Sequence, residues 1–190
     1  MFSGPLTGES LALDLVNTVV GTPDGEADLL ETPGALRAWL AAERDRLDVP
    51  DGEIDLGAVK ALRAHIADAI RTARAGTPPP PAALRALTDA LQNAPAHQEL
   101  GWNGEAVTST ARRPGNTTAT LLAQLADDAA ALLTSPAIRL IRRCEGPHCR
   151  MLFLPSNPRR RWCSPAICGN RARVARYYQR HKDAQPQSTA

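Results

Sequence analysis

The chain has 190 residues, of which 43% are hydrophobic and only 4% are aromatic. This length accommodates one ordinary domain and a small additional module, with a core built mainly from aliphatic side chains. The N-terminus lacks the basic and apolar regions of a secretory signal, and no apolar run approaches the ~18 residues of a membrane-spanning helix. We therefore expect a soluble, cytoplasmic protein.

Charge is distributed unevenly along the chain. Residues 1–138 contain 10 Lys+Arg and 18 Asp+Glu, whereas residues 139–190 contain 12 Lys+Arg and 2 Asp+Glu. A strongly basic segment of this kind is typical of contact with an anion, most often nucleic acid. The alternative is that the basic segment docks on the acidic part of its own chain.

The first predicted element covers residues 8–20. Leu11, Leu15 and Val19 recur at helical spacing, which favours a helix, although the alternation of leucines at positions 11, 13 and 15 also fits a strand. The following residues, 21–28, are predicted to form a loop.

Four further helices are predicted from apolar periodicity. The first begins at Thr32-Pro33, because threonine can cap a helix and proline suits its first position. The next contains an apolar stripe that includes Val59, Leu62 and Ile66. The last three of these helices are placed at about 55–75, 82–93 and 117–134 from their apolar spacing and their breakers.

A β-hairpin is predicted between the last two of these helices. Asn103-Gly104 is a strong turn signal, and the residues on either side of it, 99–102 and 106–110, have strand-like composition. After the last helix, Ile138 and Ile141 lead directly to the first cysteine. This short apolar linker predicts that the two parts of the chain pack together.

All four cysteines lie in the last quarter of the chain, as Cys144-x4-Cys149 and Cys163-x4-Cys168. Two close pairs separated by a short basic stretch are typical of a tetrahedral zinc site. Because the protein would supply all four ligands, we predict one structural Zn²⁺ with no open coordination position. Two alternatives are that His148 replaces Cys149, and that the cysteines are reduced structural residues or disulfides.

The residues around these cysteines predict a treble-clef arrangement. The segment between Cys144 and Cys149 is rich in turn-forming residues, 151–154 reads as a strand, and 159–162 can return as a second strand. Ser164 can cap a final helix at about 165–182, which places Cys168 in its first turn.

Eight basic residues of this module are candidates for nucleic-acid binding. The guanidinium group of arginine pairs with phosphate oxygens or guanine edges, which suits such contacts. Three of the arginines follow the i, i+3, i+7 spacing of one helical stripe. The candidates are Arg159, Arg160, Arg161, Arg171, Arg173, Arg176, Arg180 and Lys182. A solvated charged face, with Asn170 and Gly169 serving local structure, is the alternative.

The N-terminal part has fewer functional candidates. Asp14, Asn17 and Thr18 are polar groups beside apolar residues, and they could line a pocket for a small ligand or make hydrogen bonds at a helix end. His65 and His97 have no accompanying acidic pair, nucleophile or phosphate-binding loop. We therefore predict that the chain is not an enzyme, with catalysis in this part as the weakest alternative.

Two motifs resemble a known family. Cys168-Gly169-Asn170-Arg171, preceded by Arg160-Arg161-Trp162-Cys163, resembles the CGNR zinc finger, and the segment 11–18 resembles the opening of the ABATE domain that precedes this finger in the family. The resemblance implies an α+β fold: a mostly helical N-terminal domain with a small β-hairpin or sheet, which can hold a small ligand, followed by a treble-clef zinc finger. It implies domains at 1–138 and 139–182, with a flexible tail at 183–190.

The family resemblance and the basic surface together predict a zinc-containing, DNA-binding transcription regulator that responds to a small-molecule effector. An RNA- or protein-binding zinc module is the main alternative. A single finger contacts few base pairs, so we also expect a homodimer.

Overall fold

The computed structural model describes residues 7–48 and 52–183, the side chains of Lys182 and Asp183 excepted. The N-terminal stretch inspected for a secretory signal therefore lies mostly outside the described residues. The predicted flexible tail lies outside them too, apart from the backbone of its first residue.

The described residues form six α-helices and three two-stranded antiparallel sheets. The elements are α1 (Leu11–Val16), β1 (Val19–Thr22), β2 (Gly25–Asp28), α2 (Pro33–Ala42), α3 (Leu56–Arg74), α4 (Pro81–Asn93), β3 (His97–Trp102), β4 (Val107–Arg112), α5 (Thr117–Thr134), a 3₁₀-helix (Pro136–Leu140), β5 (Arg142–Arg143), β6 (Leu152–Phe153), a π-helical turn (Pro165–Gly169) and α6 (Asn170–Asp183). The predicted α+β class is confirmed.

The beginning of the chain differs from the prediction. The helix ends at Val16, and a β-hairpin of β1 and β2 replaces both the predicted second half of the helix and the predicted loop. The Thr18 hydroxyl donates to the Leu15 carbonyl at 2.6 Å, which helps to close the last turn. The β-branched residues that follow favour an extended backbone, and Gly25 turns the chain with a φ of 135°.

The other predicted helices are confirmed, and side-chain caps explain where three of them begin. Thr32 caps α2 by accepting a hydrogen bond from the Ala35 amide at 3.1 Å. Asp55 caps α3 in the same way, and Asn116 caps α5. Each cap satisfies an amide that would otherwise lack a partner at the helix start.

The predicted apolar stripe of α3 lies in the centre of the core. Val59 and Ile66 are fully buried there, together with Leu121 and Leu125 of α5 and Trp39 of α2. The same cluster includes Ile138 and Ile141 of the linker, with Leu152 and Leu154 of the cysteine-containing module packed against it. The prediction that the two parts of the chain pack together is therefore confirmed.

The β3–β4 hairpin is present as predicted, with Trp102 opposite Val107 beside the Asn103-Gly104 turn. The Asn103 side-chain oxygen accepts from the amides of Glu105 and Ala106, which fixes the turn. All twelve residues of the two strands are exposed, so the hairpin adds nothing to the core. Within the described ranges, no helix combines the length and the apolar character that crossing a bilayer requires.

Candidate metal centre and basic helix

The four cysteine sulfurs lie together in the C-terminal module. The Sγ atoms of Cys144, Cys149, Cys163 and Cys168 are all within 4.8 Å of one another, and none forms a disulfide. The Cys149–Cys163 and Cys163–Cys168 sulfurs are separated by 3.8 and 3.6 Å. Four thiolates around a tetrahedral Zn²⁺ have sulfurs about 3.8 Å apart, given Zn–S bonds of about 2.3 Å. The donor set therefore fits zinc in both chemistry and spacing.

The thiols interact strongly with one another. Hydrogen bonds from Cys149 and Cys163 lower the pKa of Cys144 to about 2. The hydrogen bond to Cys144 raises the pKa of Cys163, and burial, followed by the charge of Cys149, raises that of Cys168 to about 12. Four thiolates this close therefore repel one another, and a divalent cation offsets that repulsion.

Backbone amides and a glycine shape the first ligand pair. The amides of Gly146 and Cys163 point at the Cys144 sulfur, at 3.4 and 3.3 Å. A Cβ on Gly146 would lie 3.0 Å from the Cβ of Cys168, so a larger residue at this position would push the ligands apart. His148 has a left-handed φ of 57° and an exposed side chain, and it is not among the clustered ligands.

The strands around this knuckle differ from the prediction. β6 (Leu152–Phe153) pairs with Arg142–Arg143 before the first cysteine, and 159–162 does not return as a strand. Pro158 and the tight turn at 156–159 interrupt the backbone there, and the Arg161 carbonyl accepts a single cross-chain backbone bond, from the Glu145 amide at 3.1 Å. Cys168 lies in a π-helical turn that precedes α6, not in the first turn of the helix itself.

Arg160, a predicted nucleic-acid contact, faces inward. Its guanidinium donates to the carbonyls of Cys163 at 2.7 Å and Leu154 at 3.3 Å and pairs with Glu9 at 3.0 Å. It also lies over the Phe153 ring, 4.5 Å from the centroid. Because these donors are used inside the protein, Arg160 holds the module together, and we leave it out of the binding surface proposed below.

Arg159 and Arg161 are exposed, and Arg161 pairs with Glu145 through a 2.6 Å hydrogen bond. This pair lowers the pKa of the Glu145 carboxyl. Arg171 is exposed and donates to the Pro147 carbonyl at 3.4 Å. Among the described residues, Arg159 is the predicted basic residue outside α6 whose side chain makes no hydrogen bond or ion pair, although its backbone amide donates to the Asn157 side chain at 3.0 Å.

Helix α6 lies apart from the hydrophobic core. Every side chain described from Asn170 to His181 is exposed, except that of the half-buried Ala172. The predicted stripe is present: Arg173, Arg176 and Arg180 lie along one side of the helix and are open to solvent. The Nε atoms of the last two donate to carbonyls four residues earlier, at 3.2 and 3.3 Å. The Lys182 side chain lies outside the described residues.

Two tyrosines lie on the same helix. Tyr177 and Tyr178 are 52% and 68% exposed. The Tyr177 ring lies 3.9 Å from that of His181, centroid to centroid. The helix therefore presents aromatic as well as basic groups to solvent.

Two family models match the chain. Residues 9–136 match the ABATE model, described as "Putative stress-induced transcription regulator". The chain belongs to the ABATE family. Residues 140–181 match the model of the CGNR zinc finger, which contains the cysteine cluster, so the predicted zinc centre and the predicted family are both confirmed. No curated protein matches the chain.

Within the ABATE domain, the three predicted ligand residues make structural contacts. The Asp14 carboxylate is fully buried and accepts from the amides of Gly8 and Glu9 and from Arg46. Arg46 also pairs with Glu43, whose pKa is raised mainly by burial. These hydrogen bonds tie α1 to the residues before it and to the segment that follows α2.

Asn17 and Thr18 connect elements that are distant in sequence. The Asn17 side chain donates to the Leu152 carbonyl and accepts from the Leu152 amide, both at 2.8 Å, so it joins the ABATE domain to the finger. The Thr18 hydroxyl accepts from Arg63 at 2.8 Å. That Asn17 and Thr18 bind a small ligand stays a prediction. Asn17 does line a cleft that is described below.

Sequence reasoning missed the residues that join the ABATE domain to the finger. Glu9 accepts from the Leu154 amide at 2.9 Å as well as from Arg160. A Cβ on Gly21 would lie 1.9 Å from the His148 carbonyl oxygen, so the β1–β2 hairpin touches the zinc knuckle directly. These contacts join residues more than 100 positions apart, which local sequence patterns do not reveal.

Proposed function

We propose that this ABATE–CGNR protein is a transcription regulator that binds duplex DNA through its zinc finger and helix α6. The observation that carries the proposal is the arginine stripe of Arg173, Arg176 and Arg180 on an exposed helix. Zinc holds the π-helical turn from which this helix starts, so the metal sets the position of the stripe. The family description supports the same function.

The physical basis is phosphate contact followed by base contact. Arginines on an exposed helix can neutralise phosphates, which makes affinity fall steeply with salt. A helix of this diameter fits the major groove, where arginine pairs with guanine. Arg159 and Arg171 lie outside the stripe and add exposed charge to the same finger.

The test is a salt titration of duplex DNA binding, measured by fluorescence anisotropy with the full zinc-loaded chain. The Arg173→Gln/Arg176→Gln variant should reduce the magnitude of the slope of log K against log salt by about 2, because about one counterion is released per phosphate contact. The matched control is Arg37→Gln/Arg85→Gln, which removes two exposed arginines of the ABATE domain and should keep the slope.

Binding selection from random duplexes then separates regulation from non-specific contact. Enrichment of one sequence is expected for a regulator. Failure to bind duplex DNA even at low salt, or an equal loss in both double variants, would refute the proposal.

The exposed tyrosines favour a second candidate, an RNA-binding module. Tyr177 and Tyr178 share the helix with the arginines, and exposed aromatic rings stack on unpaired bases. A Tyr178→Ala variant that loses single-stranded RNA binding but keeps duplex DNA binding would identify this activity. Docking on an acidic protein, a homodimer and an enzymatic activity have no comparable observation in their favour.

A further inference from the structure

A cleft between the ABATE domain and the finger is lined by basic side chains from both. Its volume is about 430 Å³. Helix α3 contributes one wall and the finger contributes the other, with Asn17 and Leu152 between them. The basic residues that line it are Lys60, Arg63, Arg71, Arg74, Arg143 and Arg150.

Four of these six cations have carboxylate partners. Asp28 accepts from Lys60 at 2.8 Å and from Arg63 at 2.6 Å, and the hydrogen bond from Arg63 is the main reason that the pKa of Asp28 lies well below its ordinary value. Arg71 pairs with Asp68 at 2.9 Å, and Arg150 pairs with Glu26. The lining is therefore only partly neutralised.

Arg74 and Arg143 are the two remaining cations. Neither has an ion-pair partner within residues 7–48 and 52–183. Arg74 belongs to the ABATE domain and Arg143 to the strand that leads into the zinc knuckle, so like charges from the two parts line one cleft. Like charges in one cleft repel each other, and an anion between them would offset that repulsion.

The rest of the lining limits what can enter. Val16, Val19 and Ala67 give the cleft apolar sides, and the volume suits a small molecule, not a polymer. Arginine forks bind phosphate and carboxylate groups through paired hydrogen bonds. We propose that this cleft binds a small dianion that carries phosphate or carboxylate groups.

Binding there would connect the ABATE domain to the finger. The ligand would contact α3 on one side and β5–β6 on the other, beside the Asn17–Leu152 hydrogen bonds. This gives the predicted effector a place and a chemical class. The proposal concerns binding alone and does not depend on whether α6 contacts DNA.

The experiment is an NMR titration of the full zinc-loaded protein with inorganic phosphate and, separately, with succinate. Sodium chloride keeps the ionic strength constant. We expect saturable shifts of backbone amides in α3 and in β5–β6 with at least one of the two anions. Whichever anion binds more tightly assigns the class as phosphate or carboxylate.

The decisive variant is Arg74→Gln/Arg143→Gln, because within the described ranges these two residues make no ion pair whose loss would unfold the protein. It should bind the anion at least ~10-fold more weakly, since two charge-assisted hydrogen-bonding groups are lost. Arg37→Gln/Arg85→Gln removes the same charge elsewhere and should bind as the unmodified protein does. The amide spectrum of each variant verifies its fold.

Three results would overturn the proposal. The first is the absence of saturable shifts with either anion. The second is saturable binding that the Arg74→Gln/Arg143→Gln variant retains, or that both double variants lose equally. The third is that neither anion binds while the Arg74→Gln/Arg143→Gln variant weakens duplex DNA binding. That result would assign these arginines to the nucleic-acid surface. A failure of the DNA proposal alone leaves the phosphate and succinate results unaffected.

Discussion

The ABATE domain and the finger are stabilised in different ways. The ABATE domain contributes most of a hydrophobic cluster of 22 buried residues, whereas the cluster around the cysteines has four, two of which are themselves ligands. Burial of aliphatic side chains can therefore hold the first, but the second is too small to fold by burial alone. In the part of the chain that carries the exposed arginines, the metal therefore replaces a core.

Replacing a zinc ligand should have the largest effect. Cys163→Ser should release zinc and unfold residues from 144 to the end of the final helix, because zinc supplies roughly 10–16 kcal/mol of folding free energy to such modules. The ABATE core should remain helical, which distinguishes loss of the metal from general unfolding. Zinc stoichiometry and the amide spectrum measure the outcome. A variant with one bound zinc per chain and a native finger spectrum would contradict the assignment.

A methyl group at the contact between the two parts should have a moderate effect. Gly21→Ala places a Cβ against the His148 carbonyl, and relieving that overlap should cost about 1–3 kcal/mol. The matched control is Gly34→Ala in helix α2, where the nearest atom is 3.7 Å from the new Cβ. Denaturant unfolding compares the two. Equal stability of both variants would show that the hairpin does not press on the knuckle.

The smallest expected effect is a pH dependence inside the ABATE domain. Asp28 has a folded-state pKa below its ordinary value of 3.8, so its stabilising contribution is present above that value and is lost as the pH falls. Asp28→Asn should therefore lower the melting temperature at neutral pH, and its difference from the unmodified protein should shrink as the pH falls below about 4. Comparing the two proteins at each pH removes the effect of zinc release, which is common to both. A difference that stays constant would argue against the Asp28–Arg63 interaction.

Local patterns predicted the parts of the fold that local forces determine. Helices α3 and α5 follow from an apolar stripe and from the caps Asp55 and Asn116, and the zinc ligands follow from cysteine spacing. The β1–β2 hairpin was missed because Val19, in β1, continues the helical spacing of Leu11 and Leu15. Its strands form only where Thr18 helps to end α1, with Val19 opposite Asp28.

Roles that depend on distant contacts were not predictable from local patterns. Arg160 looks like its neighbours Arg159 and Arg161 in sequence, yet Glu9 and the carbonyl of Leu154 fix it inside the finger. The basic face of α3 was also missed. Four of its basic residues recur at helical spacing: Lys60, Arg63, Arg71 and Arg74. The net charge of the ABATE domain is negative, so a count of charges over the domain did not reveal this local basic face.

Asn17 has a consequence for attempts to study the finger by itself. Its amide group occupies both hydrogen-bonding groups of Leu152 on the outer edge of the two-stranded sheet, as a third strand would. A fragment that begins after residue 138 would leave that edge open, available to water or to another fragment, even with zinc bound. The ABATE domain thus covers the open strand edge of the sheet that precedes and follows the metal knuckle. Self-association of an excised finger would therefore result from the loss of Asn17, and it would not be a property of the intact chain.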